Sequence, residues 1–229
     1  MKIGFIGVEI PEGKIKYNDE KFIALEKKCE PKKVTPYFVE FILNEFIQID
    51  AIVVHKNNVL DLLIPDIEKL EVRLQNTNDA TEKELIKKCM SYLEKETPLC
   101  DVEFNEQEQK LIQMLSPLSM KPVVILEDIT ETNDIIEKVL KKSQTIFFYT
   151  AGKDEVHAWP VKAGSDIVTC AGRIHSDLAR GFIKADIVSF ENFIKCHNFN
   201  EAKTKGLAKL VDREYIIQEG DIIEIRFNV

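Results

Sequence analysis

Ala171-Gly172-Arg173-Ile174-His175-Ser176-Asp177-Leu178-Ala179-Arg180-Gly181-Phe182-Ile183-Lys184-Ala185-Asp186 is the stretch whose reading decides the fold. Six of the nine glycines fall at or after Gly152, and none falls between Gly13 and Gly152. Glycine-poor sequence suits helices, whereas short β-rich runs broken by single glycines suit a small sheet with tight turns. Working outward, Thr145–Thr150 is apolar and aromatic, while Glu155–Val161 and Phe182–Val188 alternate as strands do. Ser189 caps a short helix over Phe190–Ile194. Tyr215–Gln218, a turn at Glu219-Gly220-Asp221 and Ile222–Phe227 read as a closing hairpin. Strands around one or two short helices predict a mixed β-grasp module over 145–229.

The bulk properties bound what such a chain can do. At 229 residues it holds one large or two small domains. The net charge is −8, yet residues 145–229 carry 11 basic against 12 acidic side chains, so the acidity sits upstream. A net-acidic protein feels no general pull towards nucleic acid, and any such contact needs a local basic face. Five cysteines without a Cys-x-x-Cys pair read as free thiols, and no metal box appears. The start, Met1-Lys2-Ile3-Gly4, lacks a long apolar leader, and no run approaches the ~20 residues of a membrane span. A soluble, cytoplasmic protein without a membrane partner is expected.

From the start, Lys2–Ile10 is an apolar strand running into Pro11-Glu12-Gly13-Lys14. A phosphate loop needs Gly, four residues, Gly-Lys and then Ser or Thr. Gly7 and Gly13 enclose five residues, Ile15 follows Lys14, and Glu9 and Glu12 place negative charge where phosphate would lie. The segment reads as a plain strand and turn. A helix over Asp19–Cys29, a linker from Pro31 to Pro36, and strands at Tyr37–Leu43, Asp50–His55 and Lys121–Leu126 follow. Between the last two lie a helix to Gln75, a second opened by a capping box at Thr81-Glu82-Lys83-Glu84, and a third capped by Asn105. Two long amphipathic helices joined by a short polar turn make an antiparallel arm, expected to project from a sheet of about four strands.

The runs "FFYTAGKDEVHAW", "AGRIHSDLARGFIKADIVSFENF" and "YIIQEGDIIEIRFNV" resemble the C-terminal TGS domain of the YchF / Obg-like ATPase family. "DEKFIALEKKCEPKKVTPYFVEF" is similar to the piece of that family's GTPase-type domain ahead of its second magnesium motif. "PDIEKLEVRL" and "EFNEQEQKLIQMLSPLSMKPVVIL" resemble its inserted helical arm. The resemblance implies α/β and α+β architecture: the remnant of a P-loop-type parallel sheet over 1–57 and 120–144, an arm over 58–119, and a ubiquitin-like β-grasp TGS domain over 145–229. Where the family has Asp-x-x-Gly, Phe41 is followed by Ile42-Leu43-Asn44-Glu45. Where the family reads the base with Asn-x-x-Glu, Asp128-Ile129-Thr130-Glu131 stands here, and Asp cannot donate as Asn does.

Two readings of function stay open. The first is a non-catalytic, cofactor-free binding module that contacts ribosome, structured RNA or a translation-linked protein, as the family's TGS and arm regions imply. The second is an ATP- or GTP-binding protein, with magnesium, using a remodelled site. Residues of a vestigial nucleotide site are Gly7, Gly13, Lys14, Asp128 and Glu131. Candidate RNA contacts are Arg173, His175, Arg180 and Lys184, since cations on a rigid sheet suit phosphate. The plain reading of these four is a charged outer face of the sheet. A protein partner would bind the helical arm. No side chain is assigned a catalytic or metal-binding role, and the first reading expects no enzyme.

Overall fold

A computed structural model describes residues 1–128 and 130–228. The first elements are β1 (Lys2–Ile6), β2 (Gly13–Lys16), α1 (Glu20–Cys29), β3 (Lys33–Thr35), β4 (Phe38–Leu43) and β5 (Ala51–His55). Helices α2 (Val59–Asn76), α3 (Ala80–Leu93) and α4 (Glu106–Leu115) precede β6 (Val123–Leu126) and α5 (Thr132–Lys142). Then come β7 (Thr145–Ala151), β8 (Glu155–Lys162), α6 (Ile167–Ile174), α7 (Ser176–Arg180) and β9 (Phe182–Ser189). The last are α8 (Phe190–Ile194), α9 (Phe199–Thr204), β10 (Lys209–Val211) and β11 (Asp221–Phe227). The chain divides into two units, residues 1–15 with 39–142 and residues 16–38 with 143–229.

The first unit is built on a five-stranded sheet in the order β2-β4-β1-β5-β6, whose three pairings from β4 to β6 are parallel. β1, β5 and β6 are near-continuous apolar runs, as strands of a parallel sheet covered on both faces are. Gly4 is required where the 44–49 loop crosses β1: a Cβ there would lie 2.1 Å from the Glu45 carbonyl oxygen. Ile52, Val54 and Val123 of the sheet share one apolar cluster with Val59, Leu62 and Leu63 of α2, which runs on through Leu70, Leu85, Ile86 and Ile112. The base of the arm is therefore part of the sheet's own core, and the arm does not project clear of it as expected.

Local chemistry sets the arm's turns. Asp79, rather than Thr81, caps α3, its carboxylate accepting from Thr81 N at 2.8 Å and Glu82 N at 3.1 Å. Glu82 is thereby free to take Arg73 through two bonds of 2.7 and 3.1 Å and the Thr77 hydroxyl besides. Arg73, then Thr77, hold its carboxyl below the usual range. Asn105 caps α4 in a full capping box with Glu108, as the sequence predicts. Buried Asp66 accepts from the Leu118 and Ser119 backbone N–H groups at 2.6 and 2.8 Å.

The second unit carries a six-stranded sheet, order β10-β9-β11-β7-β8-β3. The sheet is made by a hairpin β7–β8, a helical crossover, then β9, β10 and a last strand lying parallel beside β7. Ala185, Ile187 and Ile223 pack with Cys170 and Ala171 of α6 on one face. Two expectations change here. The closing hairpin is absent: β11 pairs with β9 antiparallel, and Tyr215–Gln218 is a loop. Buried Asp221 pulls that loop in, accepting from the Tyr215 hydroxyl and Gln218 N, both at 2.9 Å. Helices α6 and α7 also go beyond what the sequence predicted.

Residues 16–38, expected in the first domain, lie in the second unit. The Pro31–Pro36 linker contains β3, which extends the sheet in parallel with β8 from Lys33↔Glu155 to Thr35↔His157. Asp19 caps α1 through Oδ1 and accepts from the buried Tyr149 hydroxyl through Oδ2 at 2.6 Å. Tyr17 stacks on Phe147, with ring centroids 5.8 Å apart, and Phe22 and Leu25 of α1 are buried.

Candidate functional site

In a doubly wound sheet, ligands bind beyond the carboxyl ends of the parallel strands. That edge is formed here by the segments after β1, β4, β5 and β6. β1 ends in Gly7 at φ +66°, a left-handed conformation that glycine adopts freely. The Asn58 side chain fills the space above it, so that a Cβ on Gly7 would meet Asn58 Oδ1 at 2.1 Å. Asn58 in turn donates to Asp61 at 2.8 Å. His55 Nδ1 accepts from Asn57 N at 3.2 Å, and Lys56 pairs with Glu127 at 3.2 Å. Glu12 accepts from Leu43 N at 2.9 Å.

The sequence-level nucleotide residues are spread along this edge and do not converge on one hollow. Gly13 opens strand β2, where Gly13 and Ile15 are half-buried and Lys14 and Lys16 face solvent. A phosphate loop needs the N-terminus of a helix directly after it, since the free N–H groups and helix dipole hold the phosphates. Here a strand follows instead. Asp128 and Glu131 are exposed ahead of α5, and the Thr130 hydroxyl donates to the Asp128 carbonyl at 3.1 Å. Ile129 of that motif lies outside the described residues. The cradle of the resembled family therefore does not fit these residues, and no phosphoryl-transfer step is assigned to them.

The four candidate RNA contacts are not brought together either. Arg173 is exposed in the last turn of α6. His175 caps α7, accepting from Asp177 N at 3.1 Å, and lies 3.6 Å from the Asp177 carboxylate. Arg180 pairs with the same carboxylate at 2.9 Å. Lys184 pairs with Asp212 at 3.1 Å. Strand alternation turns Lys184 away from Ala185 and Ile187, which face α6, and puts it on the side of Asp186. Asp186 is buried and takes Arg226 bidentately at 2.8 and 3.0 Å, with Lys203 at 3.2 Å. Trp159 is a packing residue, stacked on Phe148 and on His157 and donating to Thr150 at 3.1 Å.

Among the described residues, no group of three or more His, Cys, Asp or Glu side chains is placed to hold a metal ion. No described helix is long and apolar enough to cross a membrane. All five cysteines are free thiols. Burial pushes Cys89 to about 11 and Cys170 to about 12.

Comparison with known proteins defines the lineage. Residues 145–228 match the family model YchF-GTPase_C, described as a protein of unknown function (DUF933). The ribosome-binding ATPase YchF of Bacillus subtilis (strain 168) is 29% identical over 237 residues, covering 74% of this chain and 65% of that protein. The protein of the same name from Buchnera aphidicola (subsp. Baizongia pistaciae) is 30% identical over 234 residues, with coverage of 74% and 64%. Obg-like ATPase 1 of Danio rerio is 39% identical over 102 residues, 43% of this chain and 26% of that one. The chain thus spans less than two thirds of the length of the two YchF relatives. The solved structure of the Schizosaccharomyces pombe YchF GTPase superposes with a TM-score of 0.81 at 18% identity, covering 99% and 97% of the two chains, and shares the fold. These names correct the expectation of a chain that is no enzyme. Relatives aligned along about three quarters of it are called ATPases, so its lineage is one of nucleotide hydrolases.

Proposed function

Because the chain belongs to the YchF family, we propose that it is a cytoplasmic, ribosome-binding protein that takes ATP or GTP, with magnesium, through a remodelled site. The observation that carries this reading is the name shared by relatives aligned along 74% of the chain: ribosome-binding ATPase. The remodelled site lies beyond the carboxyl ends of β1, β4, β5 and β6, where an α/β sheet of this kind takes its ligands. Lys14 supplies the cation and the 7–12 segment the backbone. The second unit is a TGS-type β-grasp, and its ribosome contact is the α6–α7 face with Arg173, His175 and Arg180. Lys184, on the other side of the sheet, stands outside that contact. Asp177 already neutralises part of the face. The contact is therefore weak and salt-dependent, with an affinity that falls as a power of salt set by the few phosphates neutralised.

Two assays test the two halves separately. Co-sedimentation with purified ribosomes at low and physiological salt is expected to retain the wild type and lose the double variant Arg173→Glu/Arg180→Glu. Unchanged co-sedimentation of the variant overturns the proposed contact face, and no co-sedimentation of the wild type overturns ribosome binding. Titration with fluorescent ATP and GTP analogues plus magnesium is expected to give saturable binding that Lys14→Ala abolishes. Absence of binding overturns the nucleotide half alone.

A further inference from the structure

The face of the second unit's sheet that turns away from α6 carries a hollow that neither half of that proposal uses. Ile223 packs with α6, so strand alternation puts Glu224 on the opposite face, where Lys203 of α9 takes it at 2.7 Å. The hollow is about 300 Å3. Three segments wall it: the end of α1 with Lys28, the β7–β8 turn with Lys153, and the loop into α9 with His197 and Asn198. Buried Phe193 and Phe199, their ring centroids 6.2 Å apart, give it an apolar wall.

Its polar groups are mostly donors. Lys28 is fixed in place: its ammonium lies 5.6 Å over the Phe193 ring and donates to the carbonyls of Ile194 and Cys196. An ammonium has three N–H groups, so one is left for a ligand. Lys153 is exposed and has no ion pair among the described residues, since neighbouring Asp154 is taken by Lys32 at 2.8 Å. Asn198 spends its side-chain oxygen on Glu201 N at 2.9 Å, which leaves its NH2 group as a donor. Among the described lining residues Glu224 is the one carboxylate, and Lys203 already balances it. Two uncompensated ammonium groups and an amide NH2 select an anion. They come from three separate segments, which suits the three oxygens of a phosphate better than the two of a planar carboxylate. Size selects a small molecule. At about 30 Å3 per water-sized group, the hollow takes roughly ten non-hydrogen atoms, a phosphate and a body the size of an aromatic ring. A polynucleotide is gripped along a groove that tracks its backbone. Here Lys32 and Lys205, cations further along two of the segments, are spent on Asp154 and Glu201.

We infer that this hollow binds a small organic phosphate, a monoester whose phosphate is held by Lys28, Lys153 and Asn198 and whose apolar body lies against Phe193 and Phe199. The inference is independent of the nucleotide edge and of the α6–α7 face. It is tested on the full chain by calorimetric titration with phenyl phosphate at physiological salt, with inorganic phosphate and phenol as the two halves of the probe. Phenyl phosphate is expected to bind saturably at one site, and each half at least about tenfold more weakly. Lys153→Ala is expected to lower the affinity about tenfold through loss of a charge-assisted bond. Asn200→Asp, which adds a carboxylate to the lining, is expected to abolish binding. Both positions are exposed, so both variants keep the wild-type far-UV dichroism. Absence of saturable binding, inorganic phosphate binding as tightly as the ester, or binding that survives both variants overturns the inference. So does loss of binding in Lys14→Ala, which would put the ligand at the nucleotide edge. An oligouridylate that displaces phenyl phosphate, and that the same two variants weaken, would overturn it in favour of a polynucleotide contact.

Discussion

Replacing Asp19 with alanine tests whether residues 16–38 belong structurally to the C-terminal unit. Asp19 does two jobs with two oxygens. Oδ1 accepts from Lys21 N at 3.0 Å and Phe22 N at 3.3 Å, capping α1. Oδ2 accepts from the hydroxyl of Tyr149, a residue with no exposed surface, at 2.6 Å. Loss of an N-cap costs about 1 kcal/mol. Orphaning a buried hydroxyl costs about 1–3 kcal/mol more. The sum is about 2–4 kcal/mol, and with a urea slope of roughly 1–3 kcal/mol/M the midpoint falls by about 1–2 M. Trp159 is the only tryptophan and lies on β8 of the same unit, so its fluorescence reports that unit's unfolding. Adding Tyr149→Phe removes the orphaned hydroxyl, so the double variant should cost less than the sum of the singles. Asp19→Asn, which keeps an acceptor, should recover most of the loss. An Asp19→Ala protein with an unshifted Trp159 transition would refute the reasoning: α1 would then contribute nothing to the sheet that it covers.

Three further outcomes follow from named contacts. Burial holds the Asp221 carboxyl above its ordinary 3.8; the folded state binds that proton more tightly, so wild type should gain stability relative to Asp221→Asn as pH falls from 7 towards 3.8, and urea midpoints across that range check the sign. Glu82 behaves oppositely, because Arg73 holds its carboxyl below 4.5; its stabilisation is present above 4.5 and lost on acidification, so Glu82→Gln should flatten the acid limb of the same plot. Gly7→Ala should destabilise the chain by 1 kcal/mol or more, by roughly the cost of a non-glycine residue at positive φ plus the clash with Asn58; Asn58→Gly in the same chain should restore only the clash, as thermal melts would show.

The parallel strands were legible because their chemistry is local. Ile3, Phe5 and Ile6, Ala51–Val54, and Val123 and Val124 are buried on both faces and need no partner to be recognised as apolar runs. The Asn105 cap was legible for the same reason, since its capping box closes within four residues. β3 was hidden because a three-residue segment between two prolines reads as a linker even though Val34 and Thr35 favour a strand: its bonds are to residues more than a hundred positions away. α6 was hidden because Ile167-Val168-Thr169 opens it with β-branched residues, and Asp166, capping Thr169 at 2.7 Å, outweighs their preference.

The site was less legible than the fold, for a reason that alternation makes plain. The segment Arg173–Lys184 looks like one basic cluster when read as a line. Arg173 and Arg180 ride on helices, where neighbours recur every three or four residues, whereas Lys184 sits on a strand, where direction reverses every residue. Asp177, three residues before Arg180, was visible in the sequence as its partner; Asp212, beside Lys184, was not. The same reasoning applies to Lys14. Its neighbours Gly13 and Ile15 turn inward on β2, so the pleat sends its ammonium outward, away from where a phosphate loop's following helix would have aimed it. A nucleotide held by Lys14 must therefore approach from the solvent side of β2.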